Sequence, residues 1–219
     1  MKKNQADTAI LIVLIAGILW SFGALVVRYI EDARSVPWQY LFFRGLTIFV
    51  LLNLYLFVKE GKSFVNNYKK IDLSVIIGGM GFATAFIGFI WSITHTSAAV
   101  TLMMLAAMPF MAAILGYIFL KEKVSLTTLI AIIIAAIGIT FMAFNSSKMG
   151  TLFGLMLGLL SSLGFSIGSV SLRWNKRTPT FTTVSLAGFF CAIISFVVLI
   201  ISEQSFFTTF RNSSLSALQ

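Results

Sequence analysis

Seven stretches of this chain hold almost nothing but apolar side chains, and each is long enough to cross a bilayer. They cover residues 9–29, 37–58, 73–94, 97–120, 126–144, 151–172 and 181–201. A helix rises about 1.5 Å per residue and the hydrocarbon core is about 30 Å thick, so about 20 apolar residues make a span. Transmembrane strands would be about ten residues long with alternating polarity. These runs are twice that length and apolar on every face. The pattern predicts an all-α, polytopic transmembrane helix bundle with seven helices.

Composition closes off the other classes. Of 219 residues, 58% are apolar and 11% charged, whereas a soluble domain carries about a quarter charged residues. A compact soluble fold of this size cannot hide that much apolar surface. A lone cysteine, Cys191, forms no intramolecular disulfide, and a single His leaves little from which to build a metal site. No metal ligands and no cofactor are expected. Lys2 and Lys3 before the first apolar run resemble a signal peptide. The run is too long for that, and Val27-Arg28-Tyr29 follows it in place of a small-x-small cleavage site. The first segment is read as a retained helix.

The net charge of +9 reads as orientation, not as nucleic-acid binding, because the basic residues cluster in short loops. On the side of the N-terminus lie 11 of the 16 Lys and Arg: Lys2, Lys3, Lys59, Lys62, Lys69, Lys70, Lys121, Lys123, Arg173, Lys176 and Arg177. The opposite side has four, Arg28, Arg34, Lys148 and Arg211, and Arg44 lies within a segment. The asymmetry puts the N-terminus in the cytoplasm. The 59–72 connection, with four lysines, is expected to be a solvated cytoplasmic loop.

Lipid tails are as apolar as leucine, so small residues that let backbones approach must hold the helices together. In the sixth segment Gly154, Gly158, Ser162 and Ser166 recur every four residues, and Gly164 with Gly168 makes a second stripe. The third segment has Gly79/Ala83 and Gly81/Ala85, and the first has Gly17/Ser21. Such stripes serve packing or line a solute cavity. Pro109, inside the fourth segment, lacks an N–H for the carbonyl of Leu105 and predicts a kink, a candidate hinge.

Arg44 is the one charge inside a segment, about 10 Å below its outer boundary. A charge at the bilayer centre costs at least about 2.5–3.5 kcal/mol, so it is expected to face the bundle interior or a watery cavity. Tyr40 and Thr47 share its helix face, while Gln39 and Asn53 point elsewhere. Arg44 reads either as an anchor for a carboxylate or phosphate, or a gate, or as a structural or snorkelling arginine. Arg28 reads as the partner of Glu31 and Asp32 in a surface ion pair. His95 reads as a solvent-exposed turn residue. Trp38 and Trp174 fit an interfacial belt, and Trp20 and Trp91 lie deeper, packing in the core or lining a pathway. No carboxylate lies deep in any segment, so nothing points to ion coupling. No nucleophile elbow, zinc-protease, Walker or paired-acid pattern occurs, so catalytic residues are not expected.

Gly17-Ile-Leu-Trp-Ser-Phe-Gly23, then Arg28 and Pro37, is echoed by Gly158-Leu-Leu-Ser-Ser-Leu-Gly164, then Arg173 and Pro179. If the sixth segment restarts the pattern of the first, the second copy is inverted, as in secondary transporters. The residues resemble the EamA-type branch of the drug/metabolite transporter superfamily. The likeness rests on Leu19-Trp20-Ser21, Phe43-Arg44-Gly45, Thr96-Ser97-Ala98-Ala99, Pro109, Leu120-Lys121-Glu122-Lys123-Val124-Ser125 and Ile137-Gly138-Ile139. It covers residues 9–144 well and 150–201 loosely. Where the family usually has Gly-Glu, this chain has Lys121-Glu122. The resemblance implies ten helices in two inverted five-helix halves, both termini cytoplasmic, and a central cavity for amino acids, other metabolites, drugs or nucleotide sugars.

The expectation is therefore a secondary transporter of the cytoplasmic (inner) membrane, moving a small solute by alternating access. Residues 9–144 would form the first repeat, 150–201 two helices of a second, and 202–219 a polar tail or the start of a further helix. Trp20, Arg44, Trp91 and Thr101 are the expected solute-binding or gating residues, with Pro109 as hinge. The partners are the solute and membrane lipid, with no nucleic acid. Without three further helices part of the sixth segment's small-residue stripe would face lipid, and the chain alone would insert without transporting. A homodimer is one way to complete the cavity. A seven-helix receptor or photosensor fits less well, since residues 181–201 contain no Schiff-base lysine and the N-terminus is cytoplasmic. A membrane enzyme using His95 as base has no partner for it in sequence.

Overall fold

A computed structural model describes residues 36–144, 151–175 and 178–203, and single positions (11, 14, 15, 17, 18 and 22) of the first segment. The elements are α1 (Pro37–Glu60), a 3-10 turn (Gly61–Phe64), α2 (Val65–Lys69) and α3 (Leu73–His95). There follow α4 (Ala98–Leu105), α5 (Met108–Leu120), α6 (Leu126–Phe144), α7 (Leu152–Trp174) and α8 (Thr180–Ile201). Five stretches among the described residues are long and apolar enough to cross a membrane: Pro37–Lys69, Leu73–His95, Ala98–Leu120, Leu152–Trp174 and Thr180–Ile201. The protein is a polytopic helical membrane bundle.

Local chemistry sets the helix starts. Pro37 opens α1, where its missing N–H costs nothing. Asp72, Ser97 and Thr151 cap α3, α4 and α7 by accepting from the N–H of Val75, Val100 and Gly154, at 3.1 Å each. Ser74 Oγ also donates to the Asp72 carboxylate at 2.5 Å, and this bond holds its pKa below the usual value. At the end of α5, Lys121 takes a left-handed conformation (φ 55°, ψ 32°) and the Glu122 N–H closes onto Gly116 O at 3.2 Å. A side chain there costs about 1–2 kcal/mol, which is why glycine suits this position.

Helix α3 is the centre of the bundle, packed antiparallel on α7 and also against α8, which pairs antiparallel with α1. The α1–α8 and α3–α7 crossings are approaches of bare backbone. A methyl at Gly45 would stand 2.7 Å from Gly188 O, and one at Gly188 would stand 2.7 Å from Gly45 O. The Gly81–Gly164 crossing is equally reciprocal, at 2.8 and 2.6 Å. The small residues of α3 split between two partners. Gly79 faces Leu186 and Phe190 of α8, while Gly81 and Gly88 face α7. The stripes of α7 split likewise. Gly164 and Gly168 meet Gly81, Ala85 and Phe82 of α3. Gly154 meets His95 and Thr96 at the end of α3, and Gly158 meets Met104 of α4. This corrects the expectation that part of the stripe faces lipid: Gly154, Gly158, Ser162 and Ser166 are all buried.

The fourth segment is divided at the predicted place. A turn at Ala106–Ala107 separates α4 from α5, and Pro109 is the second residue of α5. The carbonyls around the break find donors on α7. Ser162 Oγ donates to Met104 O at 2.7 Å and Ser166 Oγ to Met108 O at 2.9 Å. Ser161 Oγ donates to Ala85 O of α3 at 2.8 Å. Met104 O also accepts from the Ala107 N–H at 3.1 Å, so the hydroxyls tie the broken helix to α7 in addition to its own turn bonds.

Two connections differ from the sequence reading. The 59–72 segment is not simply a solvated loop, because its short helices fold back on the bundle. Tyr68 Oη donates to Asn53 Oδ1 at 2.6 Å and lies 3.1 Å from Ser185 Oγ, while Asn53 Nδ2 donates to Ser185 Oγ at 2.7 Å. His95 is half-buried, with Nδ1 2.8 Å from Trp91 O, its ring stacked on Trp91 and Phe153 against its edge. Arg28, Glu31 and Asp32 lie outside the described residues.

The glycine crossings give a direct prediction. Gly45→Ala should destabilise the purified protein by about 1–3 kcal/mol, because backbone cannot yield as a flexible side chain can. Gly138→Ala, where a methyl meets nothing within 4 Å, should be neutral or stabilising by up to about 1 kcal/mol. Denaturant titration of both variants in detergent, followed by circular dichroism, reads the contrast.

Candidate functional site

Arg44 rises from α1 one residue before the Gly45 crossing, so its backbone is fixed where α1 and α8 touch. Its side chain reaches toward α3. The guanidinium carbon lies 5.0 Å from the centroid of Phe86 and 6.0 Å from that of Phe89. This is cation–π geometry, worth about 2 kcal/mol when desolvated. Arg44 is half-buried and Thr47, on its helix face, is exposed. Among the described residues no carboxylate pairs with it; the ion pair present is Arg173–Glu122, at 2.5 Å.

Toward the end of α3, Trp91 stands 5.4 Å from Trp38 of α1, ring to ring. Its Nε1 is buried and meets no hydrogen-bond partner. Trp38, Tyr40, Phe86 and Trp91 all pack on one buried cluster that includes Leu41, Phe89, Ile90 and Cys191. Arg44 and Trp91 thus border the same apolar cluster. Trp38, the second residue of α1, turns to Trp91, and Trp174 is half-exposed at the end of α7.

Thr101 occupies a different setting. It is fully buried at the start of α4, with Oγ1 3.0 Å from Ser92 Oγ and 2.9 Å from Thr96 Oγ1. Thr96 Oγ1 also donates to Ser92 O at 2.9 Å. The three hydroxyls tie the turn between α3 and α4 to α3. Trp20 lies outside the described residues. On the side where the lysines cluster, Arg173 donates from Nη1 to Glu122 and from Nη2 to Ala112 O at 3.1 Å. Gly116 supplies the room, since a side chain there would collide with the Glu122 carboxylate.

Phe86 and Phe89 escape sequence reasoning because apolar neighbours inside an apolar span give no signal of their own. The Asn53–Ser185–Tyr68 triad does leave one. Asn53 is an amide deep in an apolar run, and such a group needs a partner on a neighbouring helix.

A model for the EamA-like transporter family matches residues 7–144. The chain belongs to the EamA-like transporter family. It is 26% identical over 174 residues to an uncharacterized transporter of Helicobacter pylori (strain J99), covering 78% of this chain and 57% of that protein. It is 24% identical over 192 residues to the uncharacterized transporter YojE of Bacillus subtilis (strain 168), covering 85% and 61% respectively. The chain therefore spans about three-fifths of the length of these relatives. No solved structure matches.

For this EamA-like chain, the hydroxyl cluster predicts that Thr101→Val lowers stability by about 1–3 kcal/mol, since Ser92 and Thr96 each lose a buried partner. Thr101→Ser should keep most of it. Thermal unfolding of the two variants in the same detergent measures the difference.

Proposed function

We propose that this protein is a secondary transporter of the cytoplasmic membrane that moves a small solute by alternating access. The observation that carries this reading is Arg44, a half-buried cation inside a span, laid over two aromatic rings and paired with no acid among the described residues. An intramembrane charge of this kind is costly and is retained where a solute or a gate uses it. Trp91 borders the same apolar cluster and, with Trp20, belongs to the proposed solute-binding or gating set, whereas Thr101 is committed to the hydroxyl cluster with Ser92 and Thr96.

The two-repeat organisation belongs to the same proposal. Gly45 and Gly188 are each the ninth residue of their helices, and the two helices cross antiparallel at these residues. That common register supports α8 as the inverted counterpart of α1, with residues 9–144 as one repeat and 150–201 within another. Pro109, beside the break in the fourth segment, is the hinge, and the serines of α7 hold the parted carbonyls while one half moves. The basic asymmetry supports a cytoplasmic N-terminus. The pairing of two copies is a further proposal for completing the solute path.

Expression in a bacterial host, with intracellular and medium metabolites compared by mass spectrometry, tests the transport reading. With two paired copies completing the path, the expected result is a solute whose distribution shifts with the wild-type chain and not with Arg44→Ala, at equal membrane insertion. Arg44→Lys should restore only part of the shift, because an ammonium lacks the planar fork. Reporter fusions after Lys62 and Lys123 should read cytoplasmic, and fusions after Lys148 external. An unchanged shift with Arg44→Ala contradicts the role of Arg44, and reversed fusions contradict the orientation.

A further inference from the structure

The polar groups around Arg44 restrict what can bind there. Between their end turns, the described spanning helices carry a single formal charge, that of Arg44. Its guanidinium lies over Phe86 and Phe89, so the ring faces are already taken by a cation. A guanidinium held over ring faces keeps its N–H donors in the plane of the fork, the geometry that meets a planar, two-oxygen acceptor. A second group bordering the same cluster is Trp91 Nε1, which is buried, unpartnered and able only to donate. Both groups therefore call for an acceptor.

Charge balance narrows the class further. In a medium of low dielectric a single guanidinium is neutralised by one negative charge at contact. A doubly charged phosphate would leave an excess negative charge in the span. A ligand amine would add a second cation where the described residues offer no carboxylate and the nearest ring faces are occupied. Trp38, Phe86 and Trp91 supply apolar contact for the rest of the molecule.

We infer that the Arg44 site selects a monoanionic carboxylate with an apolar body and no cationic amine. This rests on the transporter reading and specifies its solute.

The test uses the full 219-residue chain in phosphatidylcholine nanodiscs, with tryptophan fluorescence as readout because Trp38 and Trp91 pack on the cluster that Arg44 borders. Four probes share one ring: phenylacetate, phenylalanine, phenethylamine and phenyl phosphate. Phenylacetate should bind saturably and at least about tenfold tighter than the other three, the range expected for a charge-assisted bond made or lost. Arg44→Gln should weaken it by about tenfold or more, with helical circular dichroism unchanged, and Trp91→Phe should remove most of the fluorescence change. Equal or tighter binding of any other probe overturns the inference, as does saturable binding of none. Phenylacetate binding unaltered by Arg44→Gln overturns it too. So does a loss of more than about tenfold that persists at high salt when anionic phosphatidylglycerol replaces zwitterionic phosphatidylcholine, since an anionic lipid headgroup then occupies the site. The wild-type ranking stands even if the arginine variant fails to fold. The transport reading does not fall with these outcomes, because it is decided by the Arg44-dependent solute shift in cells.

Discussion

Backbone-to-backbone contact at glycine is the constraint on which the rest of this bundle depends. Surrounded by lipid, apolar faces gain little by meeting one another, and dispersion between close surfaces must hold the helices together. Gly45 against Gly188 and Gly81 against Gly164 provide that closeness twice, each time reciprocally. Helix α3 meets the backbone of α7 at Gly81 and Gly88, and at Gly79 it receives the Leu186 and Phe190 side chains of α8. The large side chains are displaced outward, and α6 in particular exposes Ile134, Ile137 and Phe141.

The site follows from this arrangement. Because α1 is locked at Gly45, Arg44 has one direction in which to extend within the bundle, and α3 presents Phe86 and Phe89 there. The same close approach of α7 places Ser162 and Ser166 within reach of the carbonyls of Met104 and Met108. Those two bonds, with the turn bonds of Ala106 and Ala107, satisfy backbone groups of the broken helix. Packing, the charged side chain and the interrupted helix are thus three consequences of one set of small residues.

Much of this was legible before any coordinates. The limits of the six described segments agree within two residues because hydrocarbon thickness fixes the length of an apolar run, while those of the first segment lie outside the described residues. The break near Pro109 follows from its missing N–H. Glycine and serine stripes were legible as packing surfaces, but their partners were not. Which helix meets Gly158 depends on rotation about the helix axis, and an all-round apolar sequence scarcely records it. Arg44 was legible as a charge needing company. Its face neighbours Tyr40 and Thr47 suggested hydroxyls, yet the company is aromatic and comes from α3. Thr101 stood out as a polar residue available to a solute, while its hydroxyl is engaged by Ser92 and Thr96. Tyr68, in a lysine-rich connection, gave no sign that it reaches Asn53 and Ser185.

The most direct test of the glycine-seam account is disulfide trapping in native membranes with Cys191→Ala as background, since Cys191 is the chain's one cysteine. The pair A85C/S161C should crosslink rapidly across α3 and α7, where Ser161 Oγ lies 2.8 Å from Ala85 O. After proteolysis in the 121–125 turn the two fragments should then stay joined until reductant is added. The pair I133C/S161C, with position 133 on the exposed face of α6, should not crosslink. Failure of A85C/S161C to crosslink, or efficient trapping of I133C/S161C within one chain, would contradict the arrangement on which the account rests.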